Sequence, residues 1–112
     1  MINSKDKGKR GERQWRDKLR EHGFQAWRGI QYQGGPDSPD VVCKALSGFH
    51  FEVKYTNRLR INEAYKQACV DAKGGKIPVL AHRSNRDSWL ITLNSDDFLM
   101  ILRRSDLIDA SL

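Results

Sequence analysis

Residues 38–54 constrain this chain more tightly than any other stretch. They read Ser-Pro-Asp-Val-Val, a short polar interruption, then Phe-His-Phe-Glu-Val-Lys. The second run alternates, with Phe49, Phe51 and Val53 on one face of a strand and His50, Glu52 and Lys54 on the other. A strand with one apolar face lays that face on a core, so Glu52 and Lys54 point together away from it. Val41 and Val42 mark a neighbouring strand opened by Asp40. Paired as a hairpin, the two strands bring Asp40, Glu52 and Lys54 to one point. Carboxylates grouped in this way hold a hard divalent cation such as Mg²⁺, which takes oxygen ligands.

The remaining elements are arranged around that pair. Residues 1–8 are polar and are expected to fray, and residues 9–22 read as a helix with Gly23 as its C-cap. Trp15 and Leu19 mark its apolar stripe, and Glu12 falls on the same inward face. A carboxylate there needs a partner: a salt bridge to Arg13, Arg16 or Lys18, or a place in the acidic site. Residues 24–28 alternate and predict a first strand. Residues 29–39 form a loop in which Gln31, Tyr32 and Gln33 precede Gly34-Gly35-Pro36, serving either nucleic-acid contact or mere connection. Strands follow over 40–45 and 49–55. A basic connector carrying Arg58 and Arg60 leads to a helix capped by Asn62 and stopped by Gly74-Gly75, with Tyr65, Ala68, Cys69 and Ala72 on its apolar face. Strands over 77–83 and 89–93 precede a last helix over 96–104, with Ser95 as N-cap. Its Phe98, Leu99, Ile101 and Leu102 exceed what one buried face needs, so the surplus is either core or contact with a second subunit. The order αβββαββα describes an α/β fold, a mixed sheet flanked by helices.

At 112 residues the chain is expected to be one domain, 1–112. Its net charge of +6 is unevenly placed: residues 1–60 hold 13 Lys and Arg against 7 Asp and Glu, and residues 61–112 hold 7 of each. The whole excess shares the half that carries the acidic cluster, which fits a polyanion held by its phosphates beside a metal site; a solvated basic tail is the alternative. Lys9, Arg10, Arg13, Arg16, Arg28, Arg58 and Arg60 are the candidate phosphate contacts. Cys43 and Cys69 form no C-x-x-C pair and read as packed thiols in a reducing compartment. No run is apolar enough to cross a membrane, and the expected location is cytoplasmic. His22 and His82 read as surface groups. His50 stands about 13 Å from Lys54 at ~3.3 Å per residue, and reads as a cross-strand partner rather than a catalytic base.

Four motifs in order carry a resemblance: Gly11-Glu12 on the opening helix, Pro39-Asp40 before an apolar strand, Glu52-Val53-Lys54 on the next, and Gln67 on the following helix. With them the chain resembles the PD-(D/E)xK nuclease superfamily, and within it the small archaeal-type Holliday junction resolvases and related phage nucleases, over about residues 8–93. The resemblance implies a restriction-endonuclease-like sheet, Asp40 and Glu52 as metal ligands, and Glu12 completing the acidic set. It also implies that Lys54 positions the attacking water or stabilises charge on the phosphate. Gln67 is either a group supporting that site or an exposed amide. The implied cofactor is Mg²⁺, with Mn²⁺ as a substitute, and the implied partner is branched or four-way DNA bound by a homodimer. A nickase, a repair or restriction-like nuclease, or a non-catalytic DNA-binding module are the competing readings. Pro36-Asp37 competes with Pro39-Asp40; Asp40 is preferred because Val41 and Val42 follow it directly and hold it at a strand start.

Overall fold

The alternating run of residues 49–55 becomes the strand on which the sheet is built. The structure, a computed structural model, describes residues 4–29 and 40–112, with side chains from residue 6 onward. The competing Asp37 and the Gln31–Pro36 loop lie outside the described residues. In chain order the elements are helix α1 (Ser4–Glu21), strands β1 (Trp27–Arg28) and β2 (Val41–Val42), a 3₁₀ turn (Lys44–Leu46), β3 (Phe49–Tyr55), helix α2 (Ile61–Asp71), β4 (Ile77–Arg83), β5 (Leu90–Thr92) and helix α3 (Ser95–Arg103). The strands lie side by side in the order β1-β2-β3-β4-β5. All neighbours are antiparallel except β3 and β4, which run parallel with Phe51 beside Val79 and Glu52 beside Leu80. A parallel pair needs a crossover, and α2 supplies it. This is the mixed α/β sheet of the restriction-endonuclease-like fold, with the expected element order.

The period-2 pattern decides what each face does. Phe51 and Val53 of β3, with Val79 and Ala81 of β4, join Trp15 and Leu19 of α1 and Val41 and Cys43 in one buried cluster. Trp15 lies 5.8 Å from Phe51 and 5.3 Å from Trp89 between ring centroids, tilted in both cases, the geometry aromatic quadrupoles favour. The opposite face is covered by α2, which packs on β3 and β4 through Ala64 and Ala68. Small side chains there let the helix sit close to the sheet.

Several boundaries move from their expected positions. α1 begins at Ser4, so residues 4–8 are helical rather than frayed. It ends as expected at Gly23, whose φ of +86° and whose N–H to Arg20 O, with Phe24 N–H to Leu19 O, close the last turn. β2 is only two residues long because the chain turns into the 3₁₀ segment. Arg60, not Asn62, occupies the N-cap of α2, without a side-chain bond. Asn94, not Ser95, caps α3, accepting from the Asp96 N–H at 2.8 Å. Cys43 is buried but Cys69 is exposed. His82 is buried rather than superficial, its Nε2 2.9 Å from Thr92 Oγ1 on β5, and burial lowers its pKa below the ordinary histidine value. Pro78 sits early in β4, where Ile77 N–H is turned toward β3 to donate to Gly48 O.

The approach of α1 to β3 is set by Gly11. A Cβ at this position would lie 2.7 Å from the Tyr55 Cβ, the rigid root of that side chain. Gly11→Ala is therefore expected to destabilise the chain by about 1–2 kcal/mol in urea unfolding, because the overlap outweighs the ~1 kcal/mol that alanine ordinarily gains inside a helix. Unchanged or higher stability would mean that α1 can lift off β3 freely.

Candidate active site

Asp40 stands immediately before β2 and shares in its pairing. Asp40 N–H donates to Phe51 O at 3.2 Å, and Gly29 N–H donates to Asp40 O at 2.9 Å, so its backbone is held between β1 and β3. Its side chain then accepts the Val53 N–H of β3 at 2.8 Å. Val41 is opposite Phe51, and Glu52 follows Phe51 on β3. The two carboxylates share one cavity of about 320 Å³ with Glu12, Lys54, Lys7, Gly8 and residues 53, 55 and 56. Lys54 Nζ stands 3.9 Å from Glu52 Oε1 and is 42 % exposed, at the cavity mouth, whereas the Glu52 side chain is buried.

The electrostatics of this cavity are those of crowded acids. Burial, then the neighbouring Glu52 charge, and more weakly Glu12, raise the Asp40 pKa from 3.8 to about 7, against the lowering effects of the Val53 hydrogen bond and Lys54. Glu12 is inward as expected, but its partner is none of the helix neighbours. Arg28 on β1 donates Nε–H to Glu12 Oε1 at 3.1 Å, across 16 residues of sequence. This corrects the expectation that Arg28 is a phosphate contact on the surface: it is only 6 % exposed, its guanidinium consumed in holding Glu12. A charged side chain at that depth needs an ionic partner, and α1 provides it.

The basic residues divide into free and engaged groups. Arg10, Arg13 and Arg58 are exposed, and Lys9 is half-buried. Arg16 pairs with Asp17 at 3.0 Å, and Arg60 with Glu63 at 3.5 Å. Lys7 lies over the Tyr55 ring, 4.7 Å from its centroid, beside the cavity. Gln67 does not reach Asp40; its Nε2 donates to both carboxylate oxygens of Asp71, each at 3.0 Å. Asp71 in turn meets His50 and Glu52: one donor atom from each of the three lies within 4.8 Å of the others. Among the described residues no other His/Cys/Asp/Glu trio converges so closely. Sequence reasoning passed over Asp71, at the end of α2, and set His50 aside. The available signal was the two-residue spacing of His50 and Glu52 on one strand face.

The sequence model of the archaeal Holliday junction resolvase family (Hjc) matches residues 3–99. The chain belongs to that family. The match runs from α1 through most of α3 and includes Glu12, Asp40, Glu52, Lys54 and Gln67, and the membership brings the chain into the PD-(D/E)xK superfamily and implies endonuclease activity. No curated protein and no solved structure matches the chain. Among the described residues no helix is long and apolar enough to cross a membrane.

The raised Asp40 pKa has a measurable consequence in metal-free protein. Between about pH 4 and 7 the folded chain keeps a proton on Asp40 that the unfolded chain has lost, so this group's contribution is fully present below about pH 4 and is lost as pH rises through about 7. The difference is on the order of 4 kcal/mol for a shift of this size. Asp40→Asn retains an acceptor for the Val53 N–H, and its stability relative to the parent should grow steadily from pH 4 to 8 in chelator-treated urea titrations. A pH-independent difference would show that Asp40 is not held among uncompensated acids.

Proposed function

We propose that this resolvase-family chain is a divalent-metal-dependent endodeoxyribonuclease that acts as a homodimer on four-way or otherwise branched DNA. The observation that carries the reading is the single cavity that Asp40, Glu52 and Glu12 line together, with Lys54 Nζ 3.9 Å from Glu52 Oε1. The donor set fits Mg²⁺: two carboxylates on one sheet face, one kept protonated near neutrality only by burial and its acidic neighbours, the condition a cation would relieve. When bound, the ion would supply Lewis-acid stabilisation of the phosphate and a water of lowered pKa. The rest is done by the chain's own groups. Asp40 and Glu52 provide the ligands, and Arg28 restrains Glu12 at the edge of the set. Lys54, exposed enough to meet a phosphate yet held near Glu52, donates to a non-bridging oxygen or orients the attacking water. Arg10, Arg13 and Arg58, with Lys9, Arg16 and Arg60, contribute positive charge that draws the backbone across the cavity.

Dimer formation follows from the proposed reaction, since paired cuts in a junction need two such cavities. The apolar surplus of the last helix supports it: Phe98 and Leu99 of α3, the latter 55 % exposed, lie in the same half of the chain as exposed Leu90 and Ile91 of β5.

Asp40→Asn and Glu52→Gln should each abolish Mg²⁺-dependent cleavage of a four-way junction while leaving junction affinity equal or tighter, because each removes negative charge near phosphate. Cleavage within about threefold of the parent in either variant would sink the metal-site reading. Parallel reactions on linear duplex and single strands decide the substrate: equal rates on all three would remove the junction assignment and leave a general nuclease. Lys54→Ala should slow the single-turnover step and barely move the dissociation constant; the reverse pattern would make Lys54 an ordinary phosphate contact.

A further inference from the structure

We infer that His50, Glu52 and Asp71 form a second divalent-metal site, with a nitrogen-containing donor set suited to a zinc-class ion, on the α2 side of Glu52. This goes beyond the nuclease reading, although it shares Glu52 with it. His50 is 2 % exposed, and its Nε2 is buried without any hydrogen-bond partner. That atom is aimed at Glu52 Oε2, 3.7 Å away, too far for a hydrogen bond. Asp71 completes a triangle in which the three donor atoms lie within 4.8 Å of one another. Two donors bound to one zinc-class ion at about 2.0–2.2 Å each stand roughly 3.4 Å apart in tetrahedral geometry, so small side-chain adjustments close the set.

The two oxygens of Glu52 face different neighbours. Oε1 is 3.9 Å from Lys54, and Oε2 is 3.7 Å from His50. One carboxylate therefore serves two places, the Asp40 cavity through one oxygen and the His50–Asp71 pair through the other. The pair is also supported from outside, because Gln67 Nε2 donates to both Asp71 oxygens and fixes that carboxylate's direction, the role played by outer hydrogen bonds around metal ligands. Imidazole nitrogen selects against Mg²⁺, which prefers oxygen, and in favour of later first-row ions. Three protein ligands leave a position for water.

Cobalt(II) is the probe, since its visible d–d bands report a tetrahedral or five-coordinate site directly. Titration of the metal-free full chain should give one saturating equivalent with such bands, and without the thiolate charge-transfer absorption that the exposed Cys69 would produce. His50→Gln and Asp71→Asn should weaken binding more than Gln67→Ala, whose loss as an outer group costs about 10–100-fold. Asp40→Asn should leave the bands in place. If His50→Gln fails to fold, Asp71→Asn at the end of α2 tests the same site. Bands indifferent to both His50→Gln and Asp71→Asn, bands lost only in Asp40→Asn, or no cobalt bound at all would each overturn the inference, while Mg²⁺-dependent junction cleavage in the parent would leave the nuclease reading standing. Conversely, His50-dependent bands in a parent that cuts no DNA would uphold this site and reject that reading.

Discussion

The hydrogen bond from Val53 N–H to the Asp40 carboxylate is the contact on which the rest of the site depends. Val53 N–H belongs to the central strand of the sheet, where an orphaned backbone donor is costly. Asp40 satisfies it with a side chain instead of another strand residue. The same carboxylate lines the cavity that also holds Glu12, Glu52 and Lys54. Structure and chemistry use the same atoms here: the group that closes the sheet is also the one pressed against Glu52.

Around that point the fold arranges opposing charges at different depths. Arg28 reaches Glu12 from the sheet side, below the cavity, while Lys54 stands at its mouth. The buried arginine answers one acid fully, and the exposed lysine answers another only in part. Asp40, lying between them and held by a neutral backbone donor, is left with the least compensation, which is why its pKa climbs toward neutrality. α1 brings Glu12 to this depth only because Gly11 lets its backbone pass against Tyr55.

What could be read from residue order was whatever depends on local period. β3 and β4 fall on the expected residues because their alternation and bounding turns are complete in sequence. Helix caps slipped by one or two positions, since Asn94 and Ser95 are both good caps and only geometry chooses between them. The Asp40, Glu52 and Lys54 grouping was legible from strand parity plus one assumed hairpin. The Glu12–Arg28 pair was not, because helical spacing offers only partners three or four residues away and the real one is on a strand. Asp71 was hidden for a related reason: nothing local says which residue at the end of a crossover helix will stand above which strand. The shared face of His50 and Glu52 was legible from the same strand parity, but the third group beside them was not.

Pro78 gives the sheet a direction of growth. With Ile77 N–H turned toward β3, residue 78 has its nitrogen on the other side, where β5 pairs only with residues 80–82 of β4. A residue with an amide proton there would offer an open template to any extended chain, and proline offers none. The first half of β4 is in this way a poorer template for strand addition, which favours side-chain contacts over backbone pairing on that flank. Assembly on that flank becomes a question of surface complementarity more than of sheet extension.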